Sequence, residues 1–249
     1  MPILGAQAIG VGAYGFLRVP AVTTTTPSFV GGTSGDFGGS STFSIPINSL
    51  SGGLSSAPQS GDVVIVAVAA GFDTASTNSM SVSGYTSVAS IVSDPSTASG
   101  DDLLFTVAYK RLTASDTSIS VDGARADATT YAVHVWRNIN ATPIDVSSTT
   151  VFDVLGIATP PSITPVTTGA VILSIMGLGS DTANATFSNS SMSNLVTAGD
   201  PSLLNQESSV AIASAIWSGS GSYTPTGWST SDGDATLSGA AVTMALRPA

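Results

Sequence analysis

The sequence predicts an all-β protein: a β-sandwich of jelly-roll type, built from two repeated halves and preceded by an extended N-terminal arm. Three observations support this fold class. Short runs of Val, Ile, Thr and aromatic residues alternate with turn sequences, a similar pattern recurs in the second half, and charged residues make up only 9% of the chain. Because the solvent face of a helix needs charged side chains, this composition favours strands joined by Ser- and Gly-rich turns.

Eight segments have the composition and length of β-strands. In residues 131–137 the odd-numbered side chains share one face of the strand and the even-numbered side chains share the other. Turn sequences such as Asp122-Gly123 and Gly233-Asp234 separate the segments, and no stretch has sustained helical periodicity. The predicted strands are 42–46, 63–69, 103–112, 118–121, 131–137, 170–176, 210–216 and 241–246.

An internal repeat organises these strands. The run GDVVIVAV from Gly61 matches GAVILSIM from Gly169 in pattern, and residues 132–137, which end at Arg137, match residues 242–247, which end at Arg247. One copy has too few strands to bury both faces of a sheet, whereas two copies can pack face to face. We therefore predict a single sandwich over residues 35–249, with repeat halves at about 55–158 and 163–249 and a Pro-rich link at 159–165.

Residues 1–34 are predicted to form an N-terminal docking arm and linker. Closely spaced glycines prevent a stable helix, which leaves either a disordered tail or a segment that orders against a neighbouring subunit, and the unusual apolar content favours the second. The first cation, Arg18, follows the apolar stretch, so a secretory signal peptide is not expected. The apolar side chains that would order against a neighbouring subunit are Ile3, Leu4, Tyr14, Phe16 and Leu17.

Charge and cysteine content exclude several classes of protein. The formal net charge is −10, with only six Lys and Arg residues, whereas nucleic-acid binding requires a basic surface. Binding to an anionic membrane is disfavoured for the same reason, and no apolar run is long enough for a membrane helix. The chain has no cysteine, so disulfides, thiolate catalysis and Cys-ligated metals are absent.

Candidate catalytic residues are few. His134 is the only histidine, and a Ser-His-Asp triad would need it, but no Gly-x-Ser-x-Gly nucleophile elbow accompanies it. Glu207 is the only glutamate, and nothing in the sequence places it beside an aspartate as glycoside hydrolysis requires. We therefore expect a structural histidine and a protein that is not an enzyme.

Aromatic and acidic residues near the C-terminus form the candidate ligand site. Tyr223 and Trp228 lie in loop-like sequence, where an exposed ring can cover the apolar face of a sugar, although either ring can instead cap the core. Trp136 and Trp217 lie within strands and are predicted core residues. Asp232 and Asp234 are the best candidates for calcium ligands, but EF-hand spacing is absent, so no cofactor is predicted and calcium stays an alternative.

Several sequences together resemble virion proteins of tailed bacteriophages and prophages. They are the opening MPILGAQAIG, the Gly- and Thr-rich arm, GDVVIVAV from Gly61, YAVHVWR from Tyr131 and NATPID from Asn140. The resemblance covers most of the chain in style, and no functional residue carries over from it. It implies a virion surface protein that is assembled in the host cytoplasm and binds other virion proteins through its arm. It also implies a homo-oligomer, for which threefold symmetry is expected.

Three functions follow as hypotheses. The first is a non-enzymatic tail or fibre protein that faces the host and contacts a surface glycan or protein through its sandwich loops. The alternative is a capsid decoration or cement protein, whose arm and one sandwich face clamp neighbouring capsid subunits. The third is a secreted carbohydrate-binding or carbohydrate-active domain. The Ser-, Thr- and Gly-rich composition and the weak catalytic chemistry favour the first two.

Overall fold

A computed structural model of the chain describes residues 25–38, 42–72, 79–93, 102–113, 116–122, 128–153, 156–180, 186–199, 207–231 and 238–249. Within these ranges the regular structure is entirely β-strand, which confirms the all-β sandwich, and no helix is long and apolar enough to cross a membrane. The strands are β1 Ser28–Asp36, β2 Thr42–Pro46, β3 Val63–Phe72, β4 Ser81–Val82, β5 Thr86–Ser93, β6 Asp102–Arg111, β7 Ser118–Asp122, β8 Ala128–Arg137, β9 Ile139–Asp153, β10 Val171–Ser180, β11 Phe187–Ser188, β12 Ser193–Gly199, β13 Glu207–Ile216, β14 Ser229–Thr230 and β15 Ser238–Pro248.

The repeat is present in the topology of two five-stranded antiparallel sheets. The first sheet has the order β1-β8-β3-β6-β5, and the second has the order β9-β15-β10-β13-β12. Each strand of the first sheet therefore has a counterpart at the same place in the second. The two sequence matches fall on the equivalent pairs β3 and β10, and β8 and β15.

The boundaries of the halves differ from those predicted. β1 already belongs to the first sheet, so the predicted arm boundary at residue 34 lies inside a sheet strand. The chain crosses between sheets at Asn138, whose φ of 61° lies in the left-handed region that asparagine tolerates. β9 pairs with β15, so the second sheet begins at Ile139 rather than after the link at 159–165. The prolines led to a predicted boundary at the link, about twenty residues after the start of β9.

Three layers of side chains build the core. Apolar residues on the inner faces of the two large sheets pack against one another, as predicted for the two halves. Each half also has an outer layer of its own: the small sheet β2-β7-β4 covers the first large sheet, and β11-β14 with residues 156–170 covers the second. The central strands β3 and β8 are consequently buried on both faces. Jelly-roll connectivity stays a prediction.

The two large sheets share the same two ends. The hydroxyls of Thr130, near the start of β8, and Ser208, near the start of β13, lie 3.1 Å apart across the sandwich. This end, where β1 finishes at Asp36, is called the Asp36 end. At the opposite end, called the Thr25 end, the Thr25 amide donates to the carbonyl oxygen of Ala249 at 2.9 Å. A ten-residue strand such as β3 separates the two ends by roughly 33 Å.

Every edge strand of the large sheets carries a register shift. Such shifts occur in the pairing of β1, β5, β9 and β12 with their neighbours, whereas the inner pairs that involve β3 and β10 are regular. A bulge twists an edge and interrupts its row of unpaired amides and carbonyls. The sandwich is thus protected against uncontrolled pairing of its edges with those of another copy.

Candidate functional site

His134 lies on the inner face of β8, between the two large sheets. It is fully buried, and its ring centre lies 4.8 Å from that of Phe29. Burial lowers the pKa of His134 to about 3, an effect that exceeds the opposing influence of backbone groups at Asn194 and Ile212. Neither ring nitrogen has a hydrogen-bond partner of normal geometry among the described residues. A neutral imidazole at this place cannot reach a bound substrate, which agrees with a structural role.

Trp228 is a core residue, not a ligand platform. Its side chain is 6% exposed, and its indole N–H donates to the hydroxyl of Ser174 at 3.1 Å. The ring also packs edge-on against Phe187, with centroids 5.9 Å apart. The prediction that Trp228 presents an exposed face to a sugar is therefore corrected. Trp136 and Trp217 are buried as predicted.

Of the two predicted ligand residues that the structure describes, Tyr223 lines a concave surface and Trp228 does not. An open cleft of about 540 Å³ is bounded by this half-buried tyrosine, Trp217 and the intervening Ser- and Gly-rich segment 218–222. Backbone hydrogen bonds to Ile163 hold Tyr223 in place, and burial raises its phenol pKa, so the hydroxyl stays a neutral donor. Hydroxyls beside an aromatic edge suit a neutral polar ligand such as a sugar.

Most of the remaining predicted site residues lie outside the part of the chain that the structure describes. Asp232 and Asp234, the candidate calcium ligands, lie outside the described residues, as do Ile3, Leu4, Tyr14, Phe16 and Leu17 of the arm. Glu207 is the first residue of β13, at the Asp36 end. Among the residues that the structure describes, no three His, Asp or Glu side chains are grouped to hold a metal ion.

The arm joins the body at the Thr25 end. Besides the bond from Thr25 to Ala249, the side-chain amide of Asn138 donates to the carbonyl oxygen of Thr26 at 3.0 Å. Ala249 in turn donates its amide to the carbonyl oxygen of Asn138 at 2.9 Å. The first described residues are therefore fastened to the crossover between the two halves.

An equivalent turn precedes the central strand in each half. Gly61 and Gly169 both have positive φ, of 91° and 84°, which only glycine adopts without strain. In the first half, Asp62 receives two hydrogen bonds of 2.9 Å from the Arg137 guanidinium and one of 2.9 Å from the Gln59 amide. These bonds join the turn to the end of β8, and the bond to Asp62 raises the pKa of Arg137.

The second half has the same arrangement with a carboxylate from another strand. Arg247 contacts Asp145 of β9 at 3.4 Å, and Asp145 also accepts the amides of Val166 and Thr167 at 2.7 and 3.2 Å. Burial favours the neutral form of Asp145, but the hydrogen bonds from Thr167 and Val166 outweigh it and hold the pKa of this carboxyl below its usual range. Both turns are thus fixed by one arginine and one carboxylate.

Charge is distributed unevenly between the two ends. The Lys and Arg residues that the structure describes all lie towards the Thr25 end: Lys110, Arg111, Arg137 and Arg247. The carboxylates there, Asp62, Asp116 and Asp145, form ion pairs with three of these cations. Other described acidic residues are the first or last residues of strands at the Asp36 end: Asp36, Asp102, Asp122, Asp153 and Glu207.

Comparisons with protein-family models, with curated proteins and with solved structures give no match for this chain. Its function is therefore argued from its own surfaces. Besides the Tyr223 cleft, the Thr25 end has a cavity of about 220 Å³ lined by Arg111, Arg137, Asn138 and the turn at Gly61. The sequence signalled this cavity only through two arginines, each at the end of a predicted strand.

Proposed function

We propose that the chain is a non-enzymatic structural protein of a tailed-bacteriophage virion, associated with the tail or a fibre and facing the host surface. The observation that supports this proposal is that the body has two distinct ends. The chain enters at the Thr25 end, and the opposite ends of the large-sheet strands lie a full strand length away. An arm that docks to the particle would direct the Asp36 end outward.

The interior of the body supports a structural role. The only histidine is sealed between the two sheets, and the ion pairs of Asp62 and Asp145 fix turns at the strand ends. Both large sheets are covered on both faces, and their edge strands are bulged. These features suit a rigid spacer that keeps its shape while it presents one end.

Capsid decoration is the second candidate, and the position of the two concave surfaces favours it. The Tyr223 cleft follows Trp217, which bonds to the Gly169 turn, and the arginine-lined cavity includes the Gly61 turn, so both lie at the Thr25 end. Surfaces beside the arm would face the particle rather than the host. They suit contacts to neighbouring virion subunits.

Locating the protein on intact particles tests the proposal. We expect antibody label at the tail or fibre, and we expect the chain without residues 1–24 to fold but no longer to join the particle. Label scattered over the head would replace attachment by decoration. Absence from particles would reject both virion roles and favour the secreted carbohydrate-binding or carbohydrate-active hypothesis, which glycan arrays with the Tyr223→Ser variant would then examine.

A further inference from the structure

Arg111 has hydrogen-bonding capacity that the fold does not use. It is the last residue of β6, and its Nη1 donates to the carbonyl oxygens of Ile139 and Asn140 at 2.9 and 3.2 Å. Nε and Nη2 make no hydrogen bond to the described residues. Each of the other described cations has a carboxylate within 4.0 Å, whereas Arg111 has none among them. Its charge is therefore not balanced locally.

A second guanidinium shares the same cavity. Arg137 binds Asp62 through Nε and Nη2, which leaves its Nη1 directed elsewhere. Arg111 and Arg137 line the cavity of about 220 Å³ together with the 59–62 turn, residues 138–139 and Ala249. A methyl group at Gly61 would sit 3.4 Å from Nη2 of Arg111, so the glycine leaves this nitrogen uncovered.

The second half completes the equivalent turn without a cation. In the sheet register Arg111 faces Val63, and its equivalent, Ile216, faces Val171. The neighbouring turn bonds are the same in both halves: Gly61 donates to Leu112 and Gly169 donates to Trp217, each at 3.0 Å. An apolar residue thus completes the same turn. The bonds that Arg111 makes within the fold are the two from Nη1 to the start of β9, so the turn itself does not account for the rest of its guanidinium group.

We propose that the cavity between Arg111 and Arg137 binds an oxyanion, either a carboxylate or a phosphate group of a partner. Asp62 already neutralises Arg137, so an incoming anion would balance the charge of Arg111 and accept hydrogen bonds from both guanidinium groups. Guanidinium groups bind such planar or tetrahedral oxyanions through paired, charge-assisted hydrogen bonds. The inference does not depend on a virion role for the chain.

Nuclear magnetic resonance of the full-length ¹⁵N-labelled chain tests the site, with inorganic phosphate as the probe and chloride holding the ionic strength constant. We expect saturable shifts of the Gly61 and Asn138 amides and of the arginine Nε–H signals. Arg111→Gln should weaken binding by roughly tenfold or more, because it removes a charged donor pair. Lys110→Gln is the matched control, since it removes the same charge from the adjacent residue, which pairs with Asp116 outside the cavity.

Saturable binding that Arg111→Gln weakens and Lys110→Gln leaves unchanged would support the site. Shifts that do not saturate, or that both variants reduce equally, would show general charge attraction and overturn it. Thermal unfolding establishes that each variant is folded. Should Arg111→Gln fail to fold, Arg111→Lys decides, because it keeps the charge but loses the planar donor pair and should weaken binding by roughly threefold or more. A parallel titration with acetate distinguishes a carboxylate ligand from a phosphate ligand.

Discussion

Mild acid should destabilise this protein through the buried His134. The imidazole has a pKa of 6.5 when exposed and about 3 when buried between the sheets. The unfolded chain therefore binds a proton in this pH range while the folded chain does not, so the free energy of unfolding falls as the pH drops below 6.5. The loss stops only when the folded state itself takes up the proton, near pH 3.

The size of the effect follows from the two pKa values. One proton of difference corresponds to about 1.4 kcal/mol per pH unit. Between pH 7 and about 4.5 the free energy of unfolding should therefore fall by about 2.5 kcal/mol. The carboxyls of Asp145 and Asp116 also have lowered pKa values, the latter through hydrogen bonds from Thr113 and Lys110, but they start from 3.8 and act only at lower pH. The interval above pH 4.5 thus separates the effect of the histidine from that of these two carboxyls.

Urea denaturation at a series of pH values measures the effect, with His134→Leu as the comparison. The variant removes the titrating group and also removes ring nitrogens that have no hydrogen-bond partner of normal geometry, so we expect little loss of stability at neutral pH. Its free energy of unfolding should be nearly constant down to about pH 4.5. A wild-type curve that is flat over this interval, or a variant that keeps the wild-type slope, would refute the reasoning.

Three further predictions concern packing and hydrogen bonding, each measured by chemical denaturation. Gly239→Ala should lower the free energy of unfolding by about 1–3 kcal/mol because the new methyl group would overlap the carbonyl oxygen of Gly156. Gly227→Ala, which has open space around it, should change that free energy by less than about 0.5 kcal/mol. Equal effects of the two substitutions would contradict the crowding at Gly239. Trp228→Phe should lower the free energy of unfolding by about 1–2 kcal/mol because it leaves the buried Ser174 hydroxyl without its donor. Adding Ser174→Ala should recover part of this loss. No recovery would exclude the hydrogen bond as the cause. Asp62→Asn should lower the free energy of unfolding by about 1–3 kcal/mol because it weakens the buried end of the ion pair with Arg137. Asp116→Asn should lower it by less than about 1 kcal/mol because its ion pair with Lys110 is more exposed. The reverse order of the two effects would contradict this ranking.

The sequence predicted the inner strands of the large sheets and missed their edges. Segments such as 63–69 and 170–176 are continuous apolar runs because β3 and β10 have neighbours on both sides and are covered on both faces. The edge strands β1, β5, β9 and β12 escaped prediction. β1 contains three glycines, and β9 contains Pro143, which an edge strand tolerates. Bulges also interrupt the alternation by which a strand is identified.

Trp228 shows why the ligand site was only partly predictable. Gly227 and the Ser and Thr residues that follow give its surroundings the composition of a loop. Its burial arises from contacts with Ser174 and Phe187, which are distant in sequence and meet only when β11 and β14 pair over the second sheet. Local composition contains no information about such contacts. Tyr223, by contrast, lies at the surface as its loop-like sequence indicated, and its role in ligand binding stays a prediction.

The ion pairs of the two halves separate structural from functional charges. Repeat alignment equates Arg137 with Arg247 but sets Asp62 against Ala170, so from sequence alone the second arginine has lost its partner. The structure supplies Asp145 from β9 instead, and this carboxylate binds the equivalent turn. Each half therefore pairs this arginine with a carboxylate, although the carboxylate comes from a different strand in the second half. This recurrence indicates that neutralising the arginine stabilises the turn. Arg111 has no such counterpart and no such partner among the described residues, and this contrast within one chain is the argument for the proposed oxyanion site.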